Sequence, residues 1–523
     1  MSEQGKIARA AGIMSAATMI SRVLGYLRDM LTAFYLGATG LSDMFYVAFR
    51  VPNLMRDLFA EGSMSAAVIP VLSEYEATNP AESRNVVRAC FTFILIAAGA
   101  VCVLGILFAP AVVALIAPGF VGQPEKFATT VTLTRIMMPF LLFVSLAALQ
   151  MGALNVRRVF FITALAPAAL NVAMIVTMVG LTSRGVDALT AVALGVVLGG
   201  IVQFAIQHPA FRREGYSLSL SSDLRHPGLI QILKLVLPAT VGMAVAQLNT
   251  VVSNIMASYL HEGSITYLFY SMRLAQFPIG VFGVAMSTAV LPSLSGHAAR
   301  REYDKLKADF AFALRLLLFI CLPAMAGLMA LSVPIINILF ERGRFDHAAT
   351  LGTSSALVYY SLGIWAYVGV RVVVATFYSM QNTRTPVAVA ACALVANIAL
   401  SLALMGPMKH NGLALANALA SMINFTVLFY LLRRKLGQIG ARGTIISATR
   451  SALAAAVMGA VGWFITRGPL WEGPGHSALK ALWLCGTIAL CTAIYVAVSK
   501  LLGSDELEFL LASARKKFSG RTQ

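Results

Sequence analysis

Charge is scarce in this sequence. Asp, Glu, Lys and Arg make up 12% of the 523 residues, against 59% hydrophobic residues. A soluble domain carries roughly twice that share of charge. The mean hydropathy of +0.79 points the same way, so a soluble protein is excluded. Cysteine is thin too. Cys90, Cys102, Cys321, Cys392, Cys485 and Cys491 are scattered through apolar runs and no CxxC occurs, which supports neither a disulfide framework nor a zinc site. They read as small buried hydrophobes. The seven histidines lie near loops and form no ligand-spaced pair. HExxH, P-loop and glycine-rich nucleotide turns are all missing. No cofactor or metal is therefore expected, and without an ATP site uphill transport must draw on an ion gradient or the membrane potential. No low-complexity linker or soluble domain of useful size occurs.

Apolar stretches long enough to cross a hydrocarbon core of about 30 Å recur from end to end. We count fourteen, each expected to be a helix because backbone groups in lipid must pair internally. Prolines such as Pro52, Pro70, Pro238, Pro278 and Pro292 break or kink several of them. The N-terminal basic residues Lys6 and Arg9 followed by an apolar run look like a signal peptide. The run continues to Leu36, however, carries Arg22 and Arg28, and lacks a convincing cleavage site, so it reads as a retained first span.

Lys and Arg concentrate in alternate loops, among them Arg157/Arg158, Arg300/Arg301/Lys305/Lys307, Arg384 and Arg433/Arg434/Lys435. That bias places both termini in the cytoplasm and requires an even span count. It also accounts for the formal charge of +18 by loops facing anionic lipid, not by nucleic-acid binding.

The chain echoes itself. Met64–Ser73 resembles Met286–Ser295, Asn155-Val156-Arg157 recurs as Asn382-Thr383-Arg384, and Asn171 is answered by Asn397. The offset is about six spans, which preserves orientation, so two parallel repeats are expected with a substrate site between them near the midplane. The expected organisation is residues 1–210 for the first lobe, 211–436 for the second, 437–502 for two added helices and 503–523 for a cytoplasmic tail. Chance similarity between Ala- and Ser-rich helices is the competing explanation.

Seven arginines fall inside spans: Arg22, Arg28, Arg50, Arg56, Arg135, Arg273 and Arg371. Each is costly at bilayer depth unless it meets water or a partner. The first two spans also hold Asp29, Asp43, Asp57 and Glu61, and helical spacing puts Asp43, Arg50 and Asp57 on one stripe with Glu61 a turn further on. Such a stripe cannot face lipid. The acids and bases could simply neutralise one another and lock the helices. Arg273 argues against that as the whole account, because its own helix offers no acid nearby. A cavity with surplus guanidinium suits an anionic, phosphate-bearing substrate. Arg135 and Arg371 are weaker candidates that could snorkel or pair structurally.

The residues Ser21–Asp29, Asp43–Leu54, Arg56 and Phe59–Gly62 closely resemble the MurJ/MviN lipid II flippases, and Tyr270–Leu274 with Phe277–Val281 continue the match. The resemblance covers essentially the whole chain. It implies an all-helical MOP/MATE-like transporter of the bacterial cytoplasmic membrane that is not an enzyme, with two six-helix lobes and two further helices. It implies alternating access that carries lipid II, an undecaprenyl diphosphate bearing a disaccharide-pentapeptide, from the inner to the outer leaflet for peptidoglycan synthesis. By the same resemblance, Arg22, Arg28, Arg56 and Arg273 hold the diphosphate, and Asp29, Asp43, Arg50, Asp57 and Glu61 set cavity charge and gating. The last two helices form a groove for the lipid tail, and the cell-wall synthesis machinery is an implied partner. The chain departs from the pattern at Met272, where many members have Asp. It also offers Ser253, Asn254, Asn397 and Ser401 where some members bind sodium through carboxylates. A hard cation prefers charged oxygens, so sodium coupling is in doubt. The alternatives are a flippase for another polyprenyl-diphosphate saccharide or a multidrug/cation antiporter. The latter should have an acidic cavity. A membrane glycosyltransferase would need a catalytic acid, for which the longest outward segment offers only Glu341 and Asp346.

Overall fold

A computed structural model of the chain describes residues 3–58, 63–473 and 478–519. Among the described residues every regular element is helical. The chain divides into two compact units, Met1–Gly263 and Ser264–Gln523.

The first unit contains α1 (Glu3–Leu36), α2 (Gly40–Met55), α3 (Ser63–Thr78), α4 (Pro80–Leu107), α5 (Ala109–Ile116), α6 (Pro124–Met137), α7 (Phe140–Val156), α8 (Phe160–Thr182), α9 (Ala188–Arg213) and α10 (Pro227–Ala257). Local signals set its helix starts. The Thr39 hydroxyl accepts from Leu41 N while Ser42 Oγ accepts from Thr39 N at 3.0 Å, a reciprocal cap for α2. Asn79 caps α4 with Pro80 at its first position, and Asp187 caps α9, accepting from Thr190 N at 3.1 Å. α7 forms the centre, with Leu141, Val144, Leu149 and Leu154 nearly inaccessible. α8 packs against both α1 and α9, and α10 packs on α3 and α4. α10 therefore sits with the first unit, whereas the repeat offset starts the second set near residue 211.

The second unit contains α11 (Ser264–Pro278), α12 (Val284–Ala299), α13 (Tyr303–Ala330), α14 (Ser332–Phe340), α15 (His347–Ser361), α16 (Ile364–Ser379), α17 (Arg384–Leu436), α18 (Ala441–Ile465), α19 (Ala478–Leu501) and α20 (Asp505–Ser519). α17 reverses at Lys409, whose φ of 54° leaves the helical region just after Pro407. Gly412 makes the reversal possible, because a Cβ there would lie 2.3 Å from the Leu404 carbonyl oxygen. Two spans expected from sequence thus run through one 53-residue element. α18 packs on α13 and on α19.

A buried polar network ties α19 to α14. Asn337, fully inaccessible, donates through Nδ2 to Glu341 Oε2 at 2.8 Å and to the carbonyls of Trp471 and Gly473 at 3.1 and 2.9 Å. Lys480 Nζ donates to Asn337 Oδ1 at 3.2 Å and to Gly473 O at 2.7 Å. His347 Nδ1 lies 3.1 Å from Glu341 Oε2, and Asp346 caps α15 by accepting from Ala349 N. The two carboxylates considered for catalysis thus have structural partners.

Ten helices or helix runs among the described residues are long and apolar enough to cross a membrane, fewer than the fourteen expected. α17 counts once in that tally, α2 and α3 are 16 residues each, and of α10 only the shorter apolar stretch Pro227–Leu237 is recognised among the described residues, outside the ten. Long helices bare their apolar side chains outward, as at Ile96, Val103 and Leu107 on α4 and Leu482, Trp483 and Leu490 on α19. A bilayer is the solvent that accepts such faces. Cys392 and Cys485 lie on exposed faces of this kind, while the other four cysteines are buried. The expectation that all six are buried is corrected at these two, because a lipid-facing position accepts a small apolar side chain as readily as the core does.

Candidate functional site

The charged residues of α1 and α2 are positioned one by one. Arg28 lies in α1 with 15% of its side chain accessible, beside Asp29 at 3%. Its Nε and Nη2 both donate to Asp29 Oδ1, at 3.0 and 2.6 Å, and its Nη1 donates to Asn171 Oδ1 on α8 at 3.0 Å. The Asn171 amide in turn donates through Nδ2 to Ser21 O at 3.2 Å. One carboxylate and one neutral amide therefore fix the plane of the guanidinium. A guanidinium so held is fixed in orientation before any oxyanion meets it. Arg22, on the same helix, is exposed and has no ion-pair partner among the described residues.

Asp43 is 2% accessible and accepts from the backbone N–H of Gly263 at 2.7 Å. It fastens the start of α2 to the loop after α10, where Lys126 and Glu262 also pair at 3.7 Å. Arg50 lies two turns further along α2, half-buried. Arg56 and Asp57 pair at 3.1 Å with about a quarter of each side chain accessible, and Gln247 of α10 donates to Asp57 Oδ2 at 3.3 Å.

The single stripe expected through Asp43, Arg50 and Asp57 stops short of Asp57. α2 ends at Met55, and Arg56–Leu58 form a wider π-helical turn. Pro52, inside α2, cannot donate its share of the hydrogen-bond ladder, and the register slips beyond it. Glu61 lies outside the described residues.

Part of the neutralisation weighed from sequence is thus realised, since Arg28 meets Asp29 and Arg56 meets Asp57. Among the described residues it is not complete. Between Ser21 and Leu58 there are four guanidinium groups to three carboxylates, and Asp43 spends one oxygen on a backbone N–H. The second unit places Arg273 in α11, half-buried, two residues after Ser271, whose hydroxyl donates to Thr353 O at 2.7 Å. The weaker candidates take structural or outward positions: Arg135 Nε donates to the Ile106 carbonyl at 3.2 Å, and Arg371 is exposed with its Cδ packed near Gly283.

Sequence reading missed the orienting role of Asn171. It noticed this residue only as an echo of Asn397. The available signal was an amide inside the apolar α8, where it must find partners. Gln247 was missed for the same reason.

A profile of the family described as lipid II flippase MurJ matches residues 32–472. The chain belongs to that family. It is 35% identical over 500 residues to a probable lipid II flippase MurJ of Vibrio cholerae, covering 94% of this chain and 95% of the relative. It is 33% identical over 432 residues to the lipid II flippase MurJ of Burkholderia cenocepacia, covering 82% and 84%. Among solved structures it resembles a lipid II flippase MurJ in an inward closed conformation, with a TM-score of 0.78, 26% identity and coverage of 93% and 98%. An inward-facing multidrug resistance MATE transporter of the MOP superfamily shares the fold at a TM-score of 0.66 and 14% identity, over 82% of this chain and 98% of that one. Family membership makes the protein a multi-pass membrane transporter, not an enzyme. It also removes the glycosyltransferase alternative.

Proposed function

We propose that this chain is a lipid II flippase of a bacterial cytoplasmic membrane, carrying undecaprenyl-diphosphate-linked disaccharide-pentapeptide from the inner to the outer leaflet by alternating access. The family match over residues 32–472 carries the reading. The partly accessible Arg28 guanidinium, oriented by Asp29 and Asn171, supports it. Arg22, Arg28 and Arg56 in the first unit and Arg273 in the second are the proposed diphosphate contacts. Asp29, Asp43, Arg50, Asp57 and Glu61 tune charge and gating. We further propose fourteen spans with both termini in the cytoplasm, repeats over 1–210 and 211–436, a lipid-tail groove at 437–502, and association with the cell-wall synthesis machinery. A diphosphate carries enough charge that a guanidinium lining favours it over a cationic drug, which argues against the antiporter reading.

If Arg28 acts as a pre-set clamp, Asn171→Leu will lower lipid II accessibility in the outer leaflet about tenfold. One hydrogen bond to a charged group contributes ~1.5–3 kcal/mol. Asn171→Leu cells that flip at the parental rate would remove Asn171 from the site.

Transport is driven by the membrane potential or an ion gradient. Ser253 donates its hydroxyl to Asn249 O at 3.0 Å, and Ser401 and Asn397 are neutral and buried. These oxygens give sodium no carboxylate. Flipping is therefore expected to persist when the sodium gradient alone is collapsed. A halt on sodium removal, with the potential intact, would overturn this reading.

A further inference from the structure

A pocket of about 840 Å³ lies in the second unit where the ends of α12, α13, α16 and α17 meet. This is the end that carries the arginine- and lysine-rich loops. The chemistry of its wall is one-sided. Lys307 and Lys435 supply two ammonium groups, Tyr303 and Tyr378 two phenols, and Ser295 and Ser379 two hydroxyls, with no carboxylate among the lining residues.

The acids nearby are engaged elsewhere. Glu302 holds His297 Nδ1 at 2.8 Å, Lys305 Nζ at 3.1 Å and Arg300 Nε at 3.2 Å. These partners, His297 foremost, push its carboxyl down to about 2. Asp309 accepts from Ser293 and lies 3.4 Å from His297 Nε2. Among the described residues only Asp304 pairs with a lining lysine, at 3.1 Å from Lys307 Nζ, and its own side chain is 99% accessible. A pair whose carboxylate stands in solvent contributes little and exchanges readily, so a better anion can displace Asp304 from Lys307.

Complementing helix dipoles would explain Lys435, which sits in the last turn of α17. It does not explain Lys307. That residue lies near the start of α13, the end where a dipole disfavours a cation and favours an anion. Tyr303 and Tyr378 are about half exposed. Tyrosines bared at the end of membrane helices mark headgroup depth. A basic pocket between helices at that depth suits a lipid phosphate.

We propose that this pocket binds the phosphate headgroup of an anionic membrane lipid from the leaflet on the basic-loop side. The full chain is reconstituted in phosphatidylcholine nanodiscs with and without phosphatidylglycerol, and its unfolding temperature is measured. Phosphatidylglycerol is expected to raise that temperature by about 2–4 °C, and the gain should shrink in high salt. K307Q/K435Q should lose the gain and K307R/K435R should keep it. All three proteins should unfold at the same temperature in phosphatidylcholine alone, so a lost gain is not a folding defect. A full gain in K307Q/K435Q, or no gain in the parent, overturns the proposal. Inorganic phosphate added to neutral nanodiscs should give no gain, and a gain equal to that of phosphatidylglycerol would overturn the assignment to lipid.

Discussion

Arg28→Ala will abolish complementation in cells depleted of their native flippase, while the variant still reaches the membrane at the parental level. Arg28 gives two donors to Asp29 and one to Asn171. Its loss removes a positive charge and leaves the Asp29 carboxylate, 3% accessible, without that guanidinium. Truncating one partner of a buried, hydrogen-bonded charge pair costs roughly 2–5 kcal/mol, a factor of about 30 to several thousand. Arg28→Lys keeps the charge but cannot reach both Asp29 and Asn171 in one plane, so it should flip at an intermediate rate. Arg273→Ala should fail as completely as Arg28→Ala, since α11 offers no second cation near it. The readout is outer-leaflet lipid II accessibility alongside growth. Parental growth of both alanine variants would end the proposal that guanidinium groups hold the diphosphate.

Asn337→Leu should cause the largest loss of stability we expect. The substitution conserves bulk but deletes the acceptor for Lys480 and the donor for Glu341, Trp471 O and Gly473 O. Glu341 and Lys480 are 5% and 6% accessible, so water cannot replace the missing partners. Each buried polar group left without a partner costs about 1–3 kcal/mol, and more when charged. A destabilisation of about 2–5 kcal/mol is expected, read as a lowered unfolding midpoint of the purified protein in detergent. A midpoint equal to the parent's would show that the network does not hold α19. The pocket lysines Lys307 and Lys435 provide a contrast: Lys435 is exposed and Lys307 meets only the exposed Asp304 carboxylate, so their loss should leave stability in neutral lipid unchanged.

Much of this was open to reading in one dimension. Apolar runs between basic loops located the helices because the bilayer penalises every unpaired backbone group alike. The paired carboxylates and guanidinium groups of α1 and α2 stood out because each is costly at that depth. Asn79, Asp187 and Asp346 cap helices by side-chain chemistry that acts within three residues, a local signal that the sequence reading left unused. The wider turn at Arg56–Leu58 was harder to read. Pro52 signalled a break, but not which way the register would slip. The reversal at Lys409 was visible as a gap between two spans, yet its tightness depends on Gly412 meeting Leu404.

By itself the sequence determined a membrane-embedded, all-helical transporter of the lipid II flippase family, because hydropathy and intramembrane charge are local properties of the chain. The tertiary structure decided which charges act on which. Asn171 lies 143 residues from Arg28, Gln247 lies 190 from Asp57, and Gly263 lies 220 from Asp43. No periodicity within one helix encodes a partner on another. Those pairings exist because folding brings distant segments within the few ångströms over which a hydrogen bond acts.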